Sequence, residues 1–256
     1  MRPAPEDAAT APGYRMLAEG EGGLVVELGD AIDPVVNARV HALARAISDR
    51  LASDVLEVVP TYRSLLVVFD PLRVERGRLE RRVAGLLSAA REGGAREASR
   101  TVRVPVAYGG AAGPDLDFVA AHNGLTPAEV VEIHSSTSYL VFMLGFTPGF
   151  PYLGGMSGRI AAPRLDSPRT RIPAGSVGIA GAQTGIYPVE SPGGWRLIGR
   201  TPLRLFDPGA ERPFLLAAGD HVRFVPVSEE EWREIEGRVR AGGYEPDADA
   251  RGEGGR

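Results

Sequence analysis

Before residue 92, the apolar positions of the chain alternate between strand-like and helix-like spacing. Short apolar runs that end at turn residues occur within 14–28, 55–59 and 64–69. A helical run starts at Pro34, where Asp33 suits the N-cap and proline suits the first helical position. A second helical run is marked by Leu79, Val83, Leu86 and Leu87. The order strand, helix, strand, strand, helix predicts a small α+β domain over 14–92, ferredoxin-like in outline.

From residue 101, the apolar runs become short, and Gly and Pro recur every few residues. Bulky apolar residues and arginines fill the spaces between them, which is not the composition of a disordered linker. We expect strands at 139–143, 176–180, 185–189, 195–201 and 222–225. Many short strands with close turn signals predict a closed β-barrel over 101–241. The predicted fold class is therefore α+β followed by mainly β.

Helix starts and chain ends complete this outline. Thr126 and Ser228 each precede a Glu by three residues, so both are expected to open helices through capping boxes. The polar stretch 91–100 predicts a linker between the two domains. Residues 1–13 predict a flexible tail, and the charged, Gly-rich residues 242–256 predict a disordered one.

The composition excludes several kinds of chemistry. The 256 residues include no Cys and no Lys. Disulfides, thiolate metal sites, a Walker A lysine and a Schiff-base lysine are therefore excluded, and any anion site must use Arg or backbone N–H groups. The net charge of -4 gives no reason to expect nucleic-acid binding. No apolar run is long enough to span a membrane and no signal peptide is recognisable, so a cytoplasmic location is expected.

A cluster of arginine and polar aromatic residues within 164–204 is the strongest candidate for a binding site. Its cations are Arg164, Arg169, Arg171, Arg196 and Arg204, and its other members are Gln183, Tyr187 and Trp195. Guanidinium groups beside amide and phenol donors suit a carboxylate or phosphate, and the aromatic rings suit apolar walls. Glu190 follows a predicted strand, a position from which a carboxylate can face a cavity. The alternative is that these arginines are ordinary solvated barrel positions with Tyr187 and Trp195 in the core.

The stretch FTPGFPYLGG places Phe146, Phe150 and Tyr152 among Pro and Gly residues. Such a loop is costly unless its aromatic rings are buried. Two alternatives follow: the rings fill this chain's own core, or they lie in an interface with another subunit, where aromatic residues are enriched.

The remaining candidate motifs are weak. No two of the four histidines have metal-ligand spacing, so no metal site is expected. His134 ends a predicted helix, where a histidine usually interacts with the helix C-terminus, and a role as a catalytic base is the alternative. Ser176 misses the nucleophile-elbow motif, because Ala174 stands where Gly is needed.

Three long motifs carry a family resemblance. LGFTPGFPYLGGM, PRTRIPAGSVGIAGAQTGIYPVESPGGWRLIGRTPLRLFDP and VPTYRSLLVVFDP resemble the family of KipI and the 5-oxoprolinase B subunit, also labelled allophanate hydrolase subunit 1. The resemblance runs from about residue 14 to residue 239. It implies that the barrel is cyclophilin-like. It also implies two partners, the A subunit of 5-oxoprolinase and a homologous second barrel subunit, which is the 5-oxoprolinase C subunit or allophanate hydrolase subunit 2.

The resemblance implies one subunit of an ATP-dependent enzyme that hydrolyses 5-oxoproline to glutamate. ATP with Mg²⁺ would act at the level of the complex, no cofactor would bind tightly to this chain, and the chain alone would be inactive. Residue chemistry then assigns catalytic roles to Arg171, Gln183, Tyr187 and Glu190. It assigns substrate binding to Arg164, Trp195 and Arg204, and a partner interface to Phe146, Phe150 and Tyr152.

Three other functions stay open at this point. A KipI-type protein binds a sensor histidine kinase and inhibits it, so this chain would be a binding module. A carboxyltransferase-like subunit of urea or allophanate metabolism is the second alternative. Prolyl isomerase activity is the third, and it rests on analogy of fold alone.

Overall fold

The described residues form one large hydrophobic core before residue 92 and another after residue 100, with a small separate cluster of Ile172, Tyr187 and Leu197 in the second part. The computed structural model describes residues 13–92 and 100–250, and these fall into two compact units. The division lies within the stretch predicted as a linker.

The first unit is a four-stranded antiparallel sheet with two helices. Its elements are β1 (Arg15–Glu19), β2 (Gly23–Glu27), α1 (Pro34–Arg50), β3 (Glu57–Pro60), β4 (Ser64–Val68) and α2 (Arg76–Glu92). The strand order is β1-β2-β4-β3. The inward residues of β2 and β4 are fully buried together with apolar residues of α1 and α2, as the alternating pattern predicts. Asp33 caps α1 by accepting from the backbone N–H groups of Val35 and Val36.

The ferredoxin-like outline is matched only in part. Strand β4 lies between β2 and β3, the two strands that α1 connects. The edge strand beside β2 is β1, however, which precedes β2 in a hairpin. The ferredoxin-like order instead takes its last strand from the chain after the second helix. Strand β1 was not predicted, because the sequence RMLAE is polar and its residues are largely exposed.

The second unit is built around a closed barrel. Its elements are β5 (Arg100–Tyr108), α3 (Leu116–His122), α4 (Pro127–Ser136), β6 (Ser138–Leu144), β7 (Pro151–Gly154), β8 (Arg169–Ile172), β9 (Ser176–Ala180), β10 (Gln183–Ile186), β11 (Ser191–Gly193), β12 (Arg196–Arg200), β13 (His221–Pro226), α5 (Glu229–Arg240) and β14 (Ala248–Ala250). A single 3₁₀ turn covers Gly158–Ile160.

Seven strands close the barrel in the order β12-β9-β10-β7-β6-β13-β5, and pairing between β12 and β5 completes the ring. The interior is filled by apolar side chains from all parts of the ring and from α3 and α4. The closed β-barrel predicted from the short strands is therefore confirmed. The capping boxes at Thr126 and Ser228 are confirmed as well, since each side chain accepts from the backbone N–H three residues on.

Outside the closed ring, β8 and β11 pair as a short two-stranded ribbon. Neither strand was predicted, and nor was β7, because each of the three is only three or four residues long. The prediction of disorder after residue 242 is wrong for β14, which pairs with the beginning of β5. Residues 1–12 of the predicted first tail, and residues 251–256 of the second, lie outside the described residues.

Candidate functional site

Five aromatic side chains of the second unit meet in one cluster. The ring of Phe150 lies at the centre, 5.3 Å from the ring of Tyr152 and 5.7 Å from that of Phe146. The rings of Tyr187 and Trp195 are 5.8 Å and 5.7 Å from it, and all four contacts are edge-on. Such edge-to-face contacts stabilise aromatic clusters beyond the burial of their area. The cluster forms an apolar wall with Phe150 at its base.

The loop between β6 and β7 determines which of these rings face solvent. Phe150 is 3% exposed and packs in the chain's own interior, which is the first of the two predicted alternatives. Phe146 is 71% exposed and has a φ of 64°, a left-handed conformation that is unfavourable for a bulky residue. Tyr152 is half-buried. Of the three aromatic residues predicted to meet a partner, Phe146 therefore presents most of its surface.

Tyr187 lies immediately after β10 and is buried beneath the β8–β11 ribbon. Its backbone N–H donates to the carbonyl of Ser176, and its carbonyl accepts from the N–H of Gly175. A Cβ at Gly193 would lie 2.5 Å from the phenol oxygen, so this position requires glycine. Burial raises the pKa of Tyr187, and a hydrogen bond to the backbone of Trp195 opposes that shift. The phenol therefore stays protonated and available as a hydrogen-bond donor at neutral pH.

Two arginines contribute positive charge near this phenol but differ in their pairing. Charges on Arg164 and Arg169 both favour a lower pKa of Tyr187. Arg169 donates two hydrogen bonds of 2.9 Å to the buried carboxylate of Asp115. Arg164 is exposed and forms no ion pair within residues 13–92 and 100–250. The unneutralised cation beside the aromatic wall is therefore Arg164.

Asp115 joins three parts of the site and was not singled out in the sequence analysis. Besides Arg169 of β8, its carboxylate accepts the backbone N–H of Leu197 in β12 at 2.7 Å. The backbone N–H of Asp115 donates in turn to the carbonyl of Leu197. The only signal in the sequence was its place after Gly113-Pro114, just before a short helix. The folded barrel brings Asp115 next to Arg169, so this pairing could not be predicted from the sequence.

Two of the predicted catalytic residues pair with each other. Arg171 and Glu190 form a 2.7 Å ion pair, and both side chains are substantially exposed. Mutual pairing neutralises them, and exposed pairs of this kind contribute little to stability. Both residues lie at the β8–β11 ribbon, and their participation in a reaction remains a prediction.

The other predicted residues are not all brought together. Gln183 begins β10 and is half-buried. It lies four residues before Tyr187, a separation of about 13 Å along an extended strand. Arg204 lines a separate groove beside the end of α5. The residues that the structure gathers are therefore Tyr187, Trp195 and Arg164, with Arg169 and Asp115 in support.

His134 lies in the last turn of α4, as predicted, but its ring is fully buried. Tyr108 lies 2.7 Å from its Nδ1 and Thr184 lies 2.9 Å from its Nε2. The Thr184 hydroxyl donates to the carbonyl of Gly178, so His134 donates from Nε2 and accepts from Tyr108 at Nδ1. Burial lowers the pKa of His134 to about 3. This neutral histidine is a satisfied core residue.

Other candidate chemistry is absent from the described part of the chain. Ser176 is buried, and its hydroxyl donates to the carbonyl of Pro173. Across residues 13–92 and 100–250, no three His, Cys, Asp or Glu side chains are grouped so that they could hold a metal ion. None of the helices described is both long and apolar enough to cross a bilayer.

Comparison with known proteins identifies the family. Residues 14–216 match the family model described as carboxyltransferase domain, subdomain C and D. A relative from Bacillus subtilis (strain 168), named as the B subunit of 5-oxoprolinase, is 46% identical over 228 residues, or 86% of this chain and 95% of the relative. A relative of the same name from Escherichia coli O157:H7 is 46% identical over 212 residues, or 82% of this chain and 94% of the relative.

Solved structures share the fold. The crystal structure of TTHA0988 superposes with a TM-score of 0.71 at 41% identity, covering 80% of this chain and 40% of that one. The K. lactis urea amidolyase is 24% identical with a TM-score of 0.73, and 96% of this chain matches 17% of it. At 24% identity, the likeness to the urea amidolyase shows a shared fold and nothing more. On the family match and the near full-length relatives, the chain belongs to the carboxyltransferase C and D domain family and, within it, to the family of 5-oxoprolinase B subunits.

Proposed function

We propose that this chain is the B subunit of an ATP-dependent 5-oxoprolinase, which converts 5-oxo-L-proline to L-glutamate. The observation that carries the proposal is the 46% identity to a 5-oxoprolinase B subunit over 95% of that relative. The site adds chemical support. The substrate is a small ring with one carboxylate, and the structure offers an aromatic wall beside an arginine without an ion-pair partner in the described chain.

In this proposal, the carboxylate of 5-oxoproline pairs with Arg164 and the ring packs near Trp195. Charge-assisted bonds from guanidinium to carboxylate combine strength with orientation. The protonated phenol of Tyr187 is assigned to orient the ring by donating to the lactam oxygen. Asp115 holds Arg169 and thereby the β8–β11 ribbon over Tyr187, so it acts as a positioning residue.

The partners and the cosubstrate belong to the same proposal. The assigned partners are the 5-oxoprolinase A subunit and the homologous second barrel subunit, with Phe146 as a contact residue because its ring is exposed. ATP with Mg²⁺ acts at the level of the complex, the chain alone is inactive, and its location is cytoplasmic. Phosphorylation of the lactam oxygen would make the ring carbon electrophilic, a step that needs charge stabilisation more than a protein nucleophile. The cyclophilin-like and ferredoxin-like assignments also remain proposals.

A carboxyltransferase-like role in urea or allophanate metabolism is the second candidate. The family description, carboxyltransferase domain, favours it over kinase inhibition. The two enzymatic functions differ in substrate, so one assay series separates them.

The test is ATP-dependent glutamate release by this chain co-purified with its candidate partner subunits. We expect activity with 5-oxoproline that disappears when this chain is omitted. Arg164→Gln should raise the KM for 5-oxoproline about tenfold, because it removes a charge-assisted contact. Arg45→Gln, an exposed arginine on α1, serves as the control.

Two outcomes would argue against these assignments. An assembled complex that is inactive on 5-oxoproline but active on urea or allophanate would support the second candidate. If Arg164→Gln leaves the KM for 5-oxoproline unchanged, the proposed function still holds, but Arg164 does not bind the substrate.

A further inference from the structure

A second groove lies where the segment after β12 faces the end of α5. Its volume is about 290 Å³, and it is lined by residues 203–215 from one side and 239–246 from the other. Three arginines line it, Arg204, Arg212 and Arg240, with a single carboxylate, Asp207. The function proposed above uses none of these residues.

The first wall of the groove is a fixed hairpin. The backbone N–H of Asp207 donates to the carbonyl of Pro213 at 2.8 Å, and that of Leu215 donates to Leu205 at 3.0 Å. The rings of Phe206 and Phe214 stack at 5.2 Å across the hairpin. The backbone that carries Arg204 and Arg212 is therefore held in place before any ligand arrives, which lowers the entropic cost of binding.

The second wall is the end of α5 with the segment that follows it. The helix closes with backbone bonds from Ala241 to Gly237 and from Gly243 to Arg238. The segment is then tied to the barrel, because the N–H of Arg103 donates to the carbonyl of Asp247. Val239, Arg240 and Tyr244 face the groove from this wall.

Positive charge exceeds negative charge in the groove. Arg240 pairs with Glu236 at 3.0 Å, and Arg204 is 3.5 Å from Asp207 in a pair whose two side chains are 60% and 43% exposed. Among the described residues, Arg212 has no ion-pair partner. Exposed pairs exchange readily for a better anion, so Arg204 and Arg212 together are available to a ligand.

We propose that this groove binds a small ligand that bears a phosphate group. A phosphate offers more acceptor oxygens than a carboxylate and can occupy two guanidinium forks at once. Leu203, Leu215 and Tyr244 supply apolar surface for the remainder of the ligand. The volume suits a small molecule and is too small for a folded partner. The site is separate from the substrate site of the proposed function, so it stands or falls independently.

The experiment is calorimetric titration of the purified full chain, at low salt, with inorganic phosphate, pyrophosphate, ADP and ATP. We expect at least one of these probes to bind with a Kd that Arg212→Gln and Arg204→Gln each weaken about tenfold. The matched control is Arg233→Gln. Arg233 pairs with Glu229 in the first turn of α5, does not line the groove, and its substitution should leave the Kd unchanged.

The probes also identify the source of the phosphate. Equal binding of pyrophosphate and ADP would mean that the phosphates alone are recognised, whereas tighter binding of ADP and ATP would mean that the groove also holds the nucleoside. Either result supports the proposal, provided that the arginine variants bind the probe more weakly than the wild type does. Failure of all four probes to bind at millimolar concentration, or equal binding by the wild type and both arginine variants, would overturn it.

Discussion

His134 shows how strongly the barrel alters the chemistry of one residue. Its ring is fully buried, and both nitrogens have partners in Tyr108 and Thr184. The folded barrel keeps the ring neutral, with a pKa of about 3, whereas an unfolded chain restores the ordinary value of 6.5. Below pH 6.5 the unfolded state therefore binds one more proton than the folded state does.

This difference makes stability depend on pH with a definite sign. The contribution of neutral His134 to the free energy of unfolding is fully present above pH 6.5. It is lost as the pH falls toward 3, at about 1.4 kcal/mol for each pH unit. We expect His134→Gln to remove that slope from the free energy of unfolding measured by denaturant titration between pH 6.5 and 4. His122→Gln, at an exposed position, should retain it. Equal slopes in wild type and His134→Gln would mean that the folded barrel accommodates a protonated His134.

The sequence predicted the residue types of the site better than their pairing. Tyr187, Trp195 and Arg164 were selected for their chemistry, and the structure brings them close together. Which arginine stays unpaired was not predictable, because Asp115 reaches Arg169 over 54 residues of sequence. For the same reason, the Arg171–Glu190 pair could not be foreseen from residues that look independent along the chain.

At the scale of elements, the loop between β6 and β7 combines an exposed ring with an unfavourable backbone. Phe146 holds a φ of 64°, which costs a bulky residue on the order of 1 kcal/mol relative to glycine. The same loop contains Gly149, where a Cβ would lie 3.0 Å from the Cβ of Phe206. The chain thus keeps an aromatic ring in solvent at a cost in stability, which suits a contact with a partner.

A matched pair of substitutions tests this interpretation. Phe146→Ala removes the ring but retains the unfavourable backbone, whereas Phe146→Gly removes both. We expect the Gly variant to be more stable than the Ala variant by about 1 kcal/mol in denaturant titration of the isolated chain. Both variants should lose affinity for the second barrel subunit equally in a pull-down titration.

Two results would contradict parts of this prediction. Equal stability of the two variants would mean that residue 146 does not hold a left-handed backbone in solution. Full assembly of both variants with the second barrel subunit would mean that the exposed ring is not a partner contact.

Helices and strands were predicted correctly where a few neighbouring residues carry the signal. The capping boxes at Thr126 and Ser228 and the strand at 176–180 follow from a few neighbouring residues. Strands such as β7, β8 and β11 carry Pro or Gly or are very short, so their extended backbone depends on pairing with distant neighbours. Their sequences alone look like loops.

At the scale of the molecule, each unit has a core of its own. The apolar residues of the first core lie between Leu24 and Leu87, and those of the barrel core lie between Val102 and Phe224. No described residue belongs to both cores. We therefore expect a fragment of residues 98–256 to fold without the first unit.

The measurement is cooperative thermal unfolding of this fragment, followed by near-ultraviolet circular dichroism, because Tyr187 and Trp195 report on packed aromatic rings. We expect a single sharp transition and a spectrum like that of the barrel in the full chain. A fragment that binds hydrophobic dyes and melts without a transition would show that the barrel needs residues 1–97 in order to fold. The sequence predicted the two-unit division from a change of pattern, but ring closure depends on long-range pairing between β12 and β5.

Strand β5 has two different neighbours on one side. Its last residues pair with β12, and its first three residues pair with β14 near the end of the described chain. During synthesis, the first part of β5 emerges about 150 residues before the strand that covers it. Until then it offers an open backbone edge on which another chain could add a strand. In the folded chain, β14 closes this edge, so a nascent or truncated protein that lacks β14 would leave the first strand of its own barrel open to aggregation.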